Sequence, residues 1–425
     1  MKFLKSIFTI PLVKLFSLNG ISVCIKIAIG LITSKMLALF VGPSGMALVG
    51  NFRNFFSSVE SVASLGFQNG IVKYVVESKD NRNDLRKIIS TISISLLSVS
   101  IILSCLIYIF SDDLNTYIFS TSYQYSLVFK GLALALPWYA MSIFLIAVIN
   151  GLEKFNKVIY INIIGNALGL LVSVGMIWRY NTFGALLSVV ISPALLFFVT
   201  LYLIAKEINL TEMIRLRFFD FEIIKKMSSY SMMALVSAVL GPFVFLAIRR
   251  TIIESVGIDQ AGYWETMSRI SSYYFMFIST LLSVYFFPKL TLAKDKLETK
   301  KIFWTYYKGI MPLFLIGLSL VFILKTWLIR ILFTKDFLDV STLFLWQLIG
   351  DFFKAGSLIL GYQFFAKKLT KAFIVTEVFS LFTLYALSLY CLNVFGLQGV
   401  VIAHALTYLI YWIVLSVYFR KDLFC

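Results

Sequence analysis

The sequence predicts an all-α polytopic membrane protein, with twelve transmembrane helices arranged as two six-helix lobes. Three observations carry this prediction. Hydrophobic residues make up 60% of the 425 residues and charged residues 14%, against about 45–50% and about 25% in a soluble domain. Apolar stretches recur along the chain at lengths near the roughly 20 residues that a helix needs to cross hydrocarbon. Runs such as 88–110 and 373–392 lack the period-two alternation of a barrel strand, and lipid tolerates only helices or closed barrels. The spans are therefore helices.

In order, the spans are expected at 17–40, 44–76, 88–110, 126–150, 158–178, 183–205, 229–252, 260–288, 302–328, 340–366, 372–393 and 397–419. The first follows KFLKSIFTIPLVKLF with no small-residue cleavage site, so it is expected to remain as an anchor. Cys24, Cys105, Cys391 and Cys425 are scattered without C-x-x-C spacing, which reads as small buried apolar residues rather than a disulfide framework or a metal site. The net charge of +17 does not point to nucleic acid. Most cations fall in alternate connections: the NRNDLRK turn, Lys154 and Lys157, the stretch 206–228, Lys289 to Lys301, Lys367 to Lys371, and Arg420 with Lys421. By the positive-inside rule these connections and both termini are expected on the cytoplasmic side. Trp138, Trp178, Trp264, Trp327 and Trp346 stand near the expected interfaces, as belt anchors do.

The two halves resemble each other. Phe183-Gly184 recurs as Phe395-Gly396, each opening the last span of its half, and SKMLALFVG ending at Gly42 aligns with RRTIIESVG ending at Gly257. Six spans per half give both repeats one orientation, so their pseudo-two-fold axis is expected along the membrane normal. The domains expected are an N-lobe over 1–208, an amphipathic cytoplasmic linker over 209–228 and a C-lobe over 229–425.

Charged side chains at bilayer depth cost about 2.5–3.5 kcal/mol on insertion scales and normally face protein or a wet cavity. Lys26, Lys35, Arg53, Lys73, Arg249, Arg250, Arg269 and Lys354 are such cations; Glu60, Glu265, Asp351 and Glu377 are such acids. The repeat maps Lys35 onto Arg250 and brings Arg53 within one residue of Arg269. Helices 1, 2, 7 and 8 would thus present related cations to an anionic substrate, with Lys26 and Lys354 at mid-depth and Lys73 near the cytoplasmic entrance. The candidate substrate-binding set is Lys26, Lys35, Arg53, Lys73, Arg250, Arg269 and Lys354. Structural readings stand beside it. Lys35, Lys73, Arg249 and Arg250 can snorkel, Asp351 can neutralise Lys354 three residues on, and Arg53 and Glu60 share a helical face. Glu60, Asp351 and Glu377 either couple transport to an ion gradient or balance the cations, and His404 reads as a helix-packing hydrogen-bonding group.

No G-x-x-x-x-G-K-[ST] occurs, and no metal-ligand cluster, nucleophile elbow or cofactor motif appears. An enzyme is not expected.

GPSGMALVGNFRNF with NGIVKYV, and WQLIGDFFKAGSLILGYQFFAKK from Trp346 to Lys368, resemble the second and tenth helices of Wzx flippases. These are lipid-linked oligosaccharide flippases of the polysaccharide transporter group in the MOP exporter superfamily, and the resemblance is to the O-antigen and enterobacterial common antigen type. The likeness runs in order over essentially the whole chain. It implies a MATE-like fold with a V-shaped cavity, and as substrate an undecaprenyl-pyrophosphate-linked glycan carried from the cytoplasmic to the periplasmic leaflet. Lys26, Lys35, Arg53, Lys73, Asp351 and Lys354 match the family pattern, whereas Arg269 stands where a small polar residue is expected. A monomer in membrane lipid is implied, with a polymerase and a chain-length regulator as pathway partners. A drug exporter of the same superfamily should line its cavity with acids, and a polysaccharide polymerase should carry a large outward loop and no repeat. A scaffold subunit of the glycan assembly machinery is the remaining alternative.

Overall fold

The computed structural model describes residues 11–119, 123–205 and 210–424. Lys2, Lys5, Cys425 and residues 206–209, where the expected linker begins, lie outside them. All regular structure among the described residues is helical. The helices are α1 (Pro11–Phe40), α2 (Gly42–Ala63), α3 (Gln68–Ser78), α4 (Arg82–Ile109), α5 (Ser111–Phe119), α6 (Ser126–Gly151), α7 (Phe155–Ile204), α8 (Leu210–Met213) and α9 (Phe221–Val256). They continue as α10 (Ile258–Leu281), α11 (Phe287–Leu292), α12 (Lys296–Ile323), α13 (Lys325–Leu332), α14 (Phe344–Ala366), α15 (Thr370–Phe395), α16 (Leu397–Tyr418) and α17 (Arg420–Leu423). Among the described residues nine helices are long and apolar enough to cross a membrane, or ten if the bent pair Lys335–Thr342 and Phe344–Ala366 counts as one span.

The difference from the twelve expected has local causes. Helix α7 runs over 50 residues but reverses at Asn181, whose φ of 49° and ψ of −127° are not helical. Ser192 Oγ donates to the Gly169 carbonyl at 3.4 Å across that reversal, whereas a straight helix would hold residues 23 apart about 35 Å from each other. Two antiparallel helices therefore lie inside α7, over the expected spans 158–178 and 183–205. The expected span 44–76 is interrupted instead. Leu65 and Gly66 take φ of 51° and 61°, and the Gly66 N–H reaches back to the Ser61 carbonyl at 3.2 Å, closing α2 before α3 begins.

The repeat is visible in backbone detail, in a register that the Phe-Gly match misses. Gly42 and Gly257, Glu153 and Lys368, and Asn181 and Gly396 are separated by one common interval, and every one of them has positive φ. Gly184 and Gly399 keep the same interval, and each lies so close to a carbonyl, of Met176 and of Cys391, that a Cβ has no room. Asn181 rather than Gly184 is thus the counterpart of Gly396.

The chain divides into two compact units. Among the described residues, one contains those within 11–36 and 59–231, the other those within 37–58 and 232–424. In the first, Ile89, Ile92 and Leu96 of α4 pack with Ile71 and Val75 of α3 and Phe144, Leu145 and Val148 of α6. The connection after α7 is pinned to α4. Ser90 Oγ accepts from the Arg215 N–H at 3.0 Å, Thr91 Oγ1 accepts from the Asp220 N–H at 2.9 Å, and Arg82 pairs with Glu212 at 2.8 Å. Leu216, Phe219 and Phe221 stay exposed beside Arg215 and Arg217.

In the second unit, α14 and α16 pack closely because Gly350 meets His404 and Ala405, and Gly356 meets Trp412. Residues 37–58 belong to this unit, which a division into sequential halves does not anticipate. The reason is local: Gly262 lies on the backbone of Pro43, Gly50 faces Glu265 and Arg249, and Ser58 Oγ donates to the Val239 carbonyl at 3.3 Å. Small residues let α2 approach α9 and α10.

Candidate functional site

The densest group of ionised side chains lies in the second unit. Arg249 of α9 is 1% exposed and Arg269 of α10 is 5% exposed, and both need a counter-charge at that burial. Glu265 supplies it to both. Its Oε2 accepts from Arg249 Nη2 at 2.6 Å and its Oε1 from Arg269 Nε at 2.8 Å. The i, i+4 spacing of Glu265 and Arg269 stacks them on one face of α10. Arg249 Nη1 also donates to Asn51 Oδ1 at 3.2 Å, and the guanidinium lies 5.2 Å from the centre of the Trp264 ring, itself stacked on Phe245.

Arg53, close to Asn51 on α2, is exposed yet within electrostatic reach of Arg269, Glu265 and Arg249. An accessible guanidinium beside buried charges can meet a ligand. Three guanidiniums that do not deprotonate face one carboxylate, so the group keeps a surplus of positive charge. Two of its buried donors, Arg249 Nε and Arg269 Nη2, have no acceptor among the described residues. The arrangement can bind an anion with more than one charge.

A second polar group lies between α10, α14 and α16. Asp351 is fully buried. Its Oδ1 lies 2.9 Å from His404 Nε2 and accepts from Gln347 Nε2 at 3.2 Å, and its Oδ2 accepts from Ser271 Oγ at 2.6 Å and from the Tyr274 hydroxyl. Lys354, about one turn further on, lies over the rings of Phe275 at 4.8 Å and Tyr408 at 5.1 Å. Asp351 and Lys354 do not form the direct pair that their spacing suggested, because side chains from three helices already surround the carboxylate. Glu377 is half-buried and hydrogen-bonded with Ser237.

In the first unit, Glu60 is half-buried and accepts a hydrogen bond from Tyr139, with Lys26 within electrostatic reach. Lys26 is exposed and Lys35 half-buried. Lys73 is exposed, 3.8 Å from Glu77 on its own helix. Glu60 and Arg53 share a helical face but engage different partners.

Arg53 and Arg269 therefore lie in one group. Arg250 does not join them: it is exposed and pairs with Glu254 on its own helix at 2.9 Å. The repeat matched Lys35 to Arg250, whereas the arginine that joins the group is Arg249, whose counterpart in the repeat register is the buried Ser34. The signal available in the sequence was Glu265, an acid at depth with only one cation beside it on its own helix. Trp264, expected as a belt anchor, is buried and serves this group instead, while Trp138, Trp178, Trp327 and Trp346 are exposed. Cys24 and Cys105, expected among buried residues, are exposed, and of the described cysteines Cys391 is buried.

The family pattern described as "Polysaccharide biosynthesis protein" matches residues 36–342, well over half of the chain. The chain is 27% identical over 399 residues to the Lipid III flippase of Escherichia coli (strain K12), covering 92% of this chain and 94% of that protein. It is 22% identical over 342 residues to a putative O-antigen transporter of Shigella flexneri, covering 76% and 77% respectively. In fold it is similar to a multidrug resistance MATE family transporter of the MOP superfamily solved in an inward-facing conformation. The TM-score is 0.75 at 15% identity, over 93% of this chain and 94% of that one. With a helical fold similar to that of a solved membrane transporter and a family pattern over most of its length, the chain belongs to the polysaccharide biosynthesis protein family.

Proposed function

We propose that the chain is a flippase that carries an undecaprenyl-pyrophosphate-linked oligosaccharide, an O-antigen or common-antigen repeat unit, from the cytoplasmic to the periplasmic leaflet by alternating access. The single observation that carries the reading is the group of Arg53, Arg249 and Arg269 around Glu265. It keeps surplus positive charge and two unused buried donors beside an accessible guanidinium. A diphosphate concentrates negative charge on closely spaced oxygens, and guanidiniums bind such oxygens in forked geometry. Arg53 and Arg269 would hold it, with Lys26, Lys35, Lys73, Arg250 and Lys354 contributing to a cationic path. Glu60, Asp351 and Glu377 balance charge or couple an ion.

Twelve spans, an N-lobe and a C-lobe related about the membrane normal, cytoplasmic termini, and a monomer working beside a polymerase and chain-length regulator complete the proposal. The names of the relatives, a Lipid III flippase and a putative O-antigen transporter, support a lipid-linked glycan as cargo. A multidrug transporter among the fold neighbours supports the alternative of a small-molecule exporter. Surplus guanidinium charge weighs against a cationic cargo.

The test is to make Arg53→Ala and Lys26→Ala in cells that depend on this chain and to measure surface glycan and protein level. Loss of glycan at unchanged protein level is expected. Normal glycan in both variants refutes the diphosphate assignment.

A further inference from the structure

Two apolar cavities, of 440 and 410 Å³, lie side by side on the second unit and share Leu315 and Phe352 in their walls. They form one groove. Its floor is a stripe of α12, Trp304, Tyr307, Met311, Leu315, Leu318 and Phe322, spaced by three and four residues so that all face the same side. Phe352 of α14 and Trp412 of α16 stand opposite. A stripe of this kind normally packs against another helix. Here Leu315, Ile323 and Leu345 remain exposed along it.

The polar atoms of the wall are largely bonded inside the protein. Trp304 Nε1 donates to the Leu423 carbonyl at 3.0 Å, Trp412 Nε1 donates to the Tyr307 hydroxyl at 3.1 Å, and that hydroxyl donates to the Gly356 carbonyl at 2.8 Å. Ser319 Oγ donates to the Leu315 carbonyl at 2.8 Å. The groove presents hydrocarbon and ring faces, which suit a hydrocarbon chain.

Length and charge select the chain. From Trp304 to Ile323 the helix rises about 29 Å, the thickness of a whole hydrocarbon core of about 30 Å, whereas one phospholipid acyl chain fills a leaflet of about 15 Å. A single occupant of the full groove must be about twice as long as an acyl chain. Cations stand at both ends. Lys308 Nζ lies 5.4 Å from the Trp304 ring centre, and Lys300 Nζ donates to the carbonyl of Phe424, a wall residue, at 2.9 Å. At the other end Lys325 Nζ lies 4.5 Å from the Phe322 ring centre. A long hydrocarbon whose negative end lies at one face before transport and at the other face after it fits both features.

We infer that this groove is the seat of the carrier lipid's polyisoprenyl chain, with Lys300 and Lys308 at one mouth and Lys325 at the other meeting its phosphorylated end. The inference rests on the reading of the chain as a lipid-linked glycan flippase.

The test replaces Leu315 by photoreactive benzoylphenylalanine in the full chain, reconstituted in phosphatidylcholine vesicles with full-length polyisoprenyl phosphate. Adducts formed on irradiation are identified by mass, and Leu313, exposed elsewhere on α12, serves as the control position. The expected result is polyisoprenyl adducts at least tenfold more abundant at 315 than at 313, undiminished by excess farnesyl phosphate. Adducts at 315 with phospholipid alone, or equal polyisoprenyl labelling at both positions, overturn the inference. Ile349, across the groove, provides a second probe position if the first variant does not accumulate. The same probe in an Arg53→Ala background separates the two readings. Retained adduct with lost export supports both, and retained adduct with normal export both there and in Lys26→Ala overturns only the diphosphate assignment. Absence of the adduct in a parent whose Arg53→Ala form loses export overturns only the groove.

Discussion

Glu265→Gln is the most direct perturbation of the guanidinium group. The carboxylate uses one oxygen for Arg249 at 2.6 Å and the other for Arg269 at 2.8 Å. An amide keeps the shape but turns one acceptor into a donor, so the cations lose their counter-charge and one buried guanidinium loses its acceptor. Breaking a buried ion pair by removing one partner costs about 3–5 kcal/mol. For a unit of this size that corresponds to a fall in melting temperature of about 6–20 °C. Adding Arg249→Met to Glu265→Gln removes one stranded charge and fills its volume. The double variant should therefore recover part of the loss, with a coupling of about 1–3 kcal/mol in the double-mutant cycle. The assay is thermal unfolding of detergent-purified protein, alongside surface glycan at matched protein level. If Glu265→Gln melts within about 2 °C of the parent and the two substitutions add without coupling, Glu265 is not the shared counter-ion. The arrangement of Arg249 and Arg269 around one carboxylate then has no foundation.

Two further outcomes follow from the backbone. Asn181 holds φ 49° and ψ −127° where its repeat counterpart is Gly396 at φ 60° and ψ −147°. Asn181→Gly should raise stability by about 1 kcal/mol, since strained non-glycine backbone costs about 1–3 kcal/mol; a clear loss of stability in thermal unfolding counts against this conformation. Gly262→Val should disrupt the contact between α2 and α10, because the added Cβ meets the Pro43 backbone rather than a side chain that can turn away. A loss of about 1–3 kcal/mol is expected from overpacking, read as a lower melting temperature and reduced membrane accumulation, and a neutral result argues that this packing is absent in the membrane.

The helical membrane class, the position of nearly every long helix and the family resemblance over 42–75 and 346–368 are legible in the order of residues. Lipid leaves the backbone one way to satisfy its own hydrogen bonds along a span, so apolar length alone reveals a helix. The internal repeat is legible too, but its register is not. Phe183-Gly184 and Phe395-Gly396 are matching letters, whereas the shared features are positive φ at Asn181 and Gly396 and a crowded glycine at Gly184 and Gly399.

Which charges meet is a matter of packing between helices. Arg249 and Arg250 are adjacent in sequence and chemically identical, yet one is 1% exposed on Glu265 and the other pairs with Glu254 in the open. Neighbours on a helix point about 100° apart, so the direction in which α9 turns toward α2 and α10 selects between them. Asp351 likewise draws partners from α10 and α16 rather than from Lys354 on its own helix. Composition and spacing suffice to place cations within apolar spans, because they register charges wherever they fall. Pairing needs the fold, since ion pairs form over a few ångströms and the residues that make them here come from distant parts of the chain.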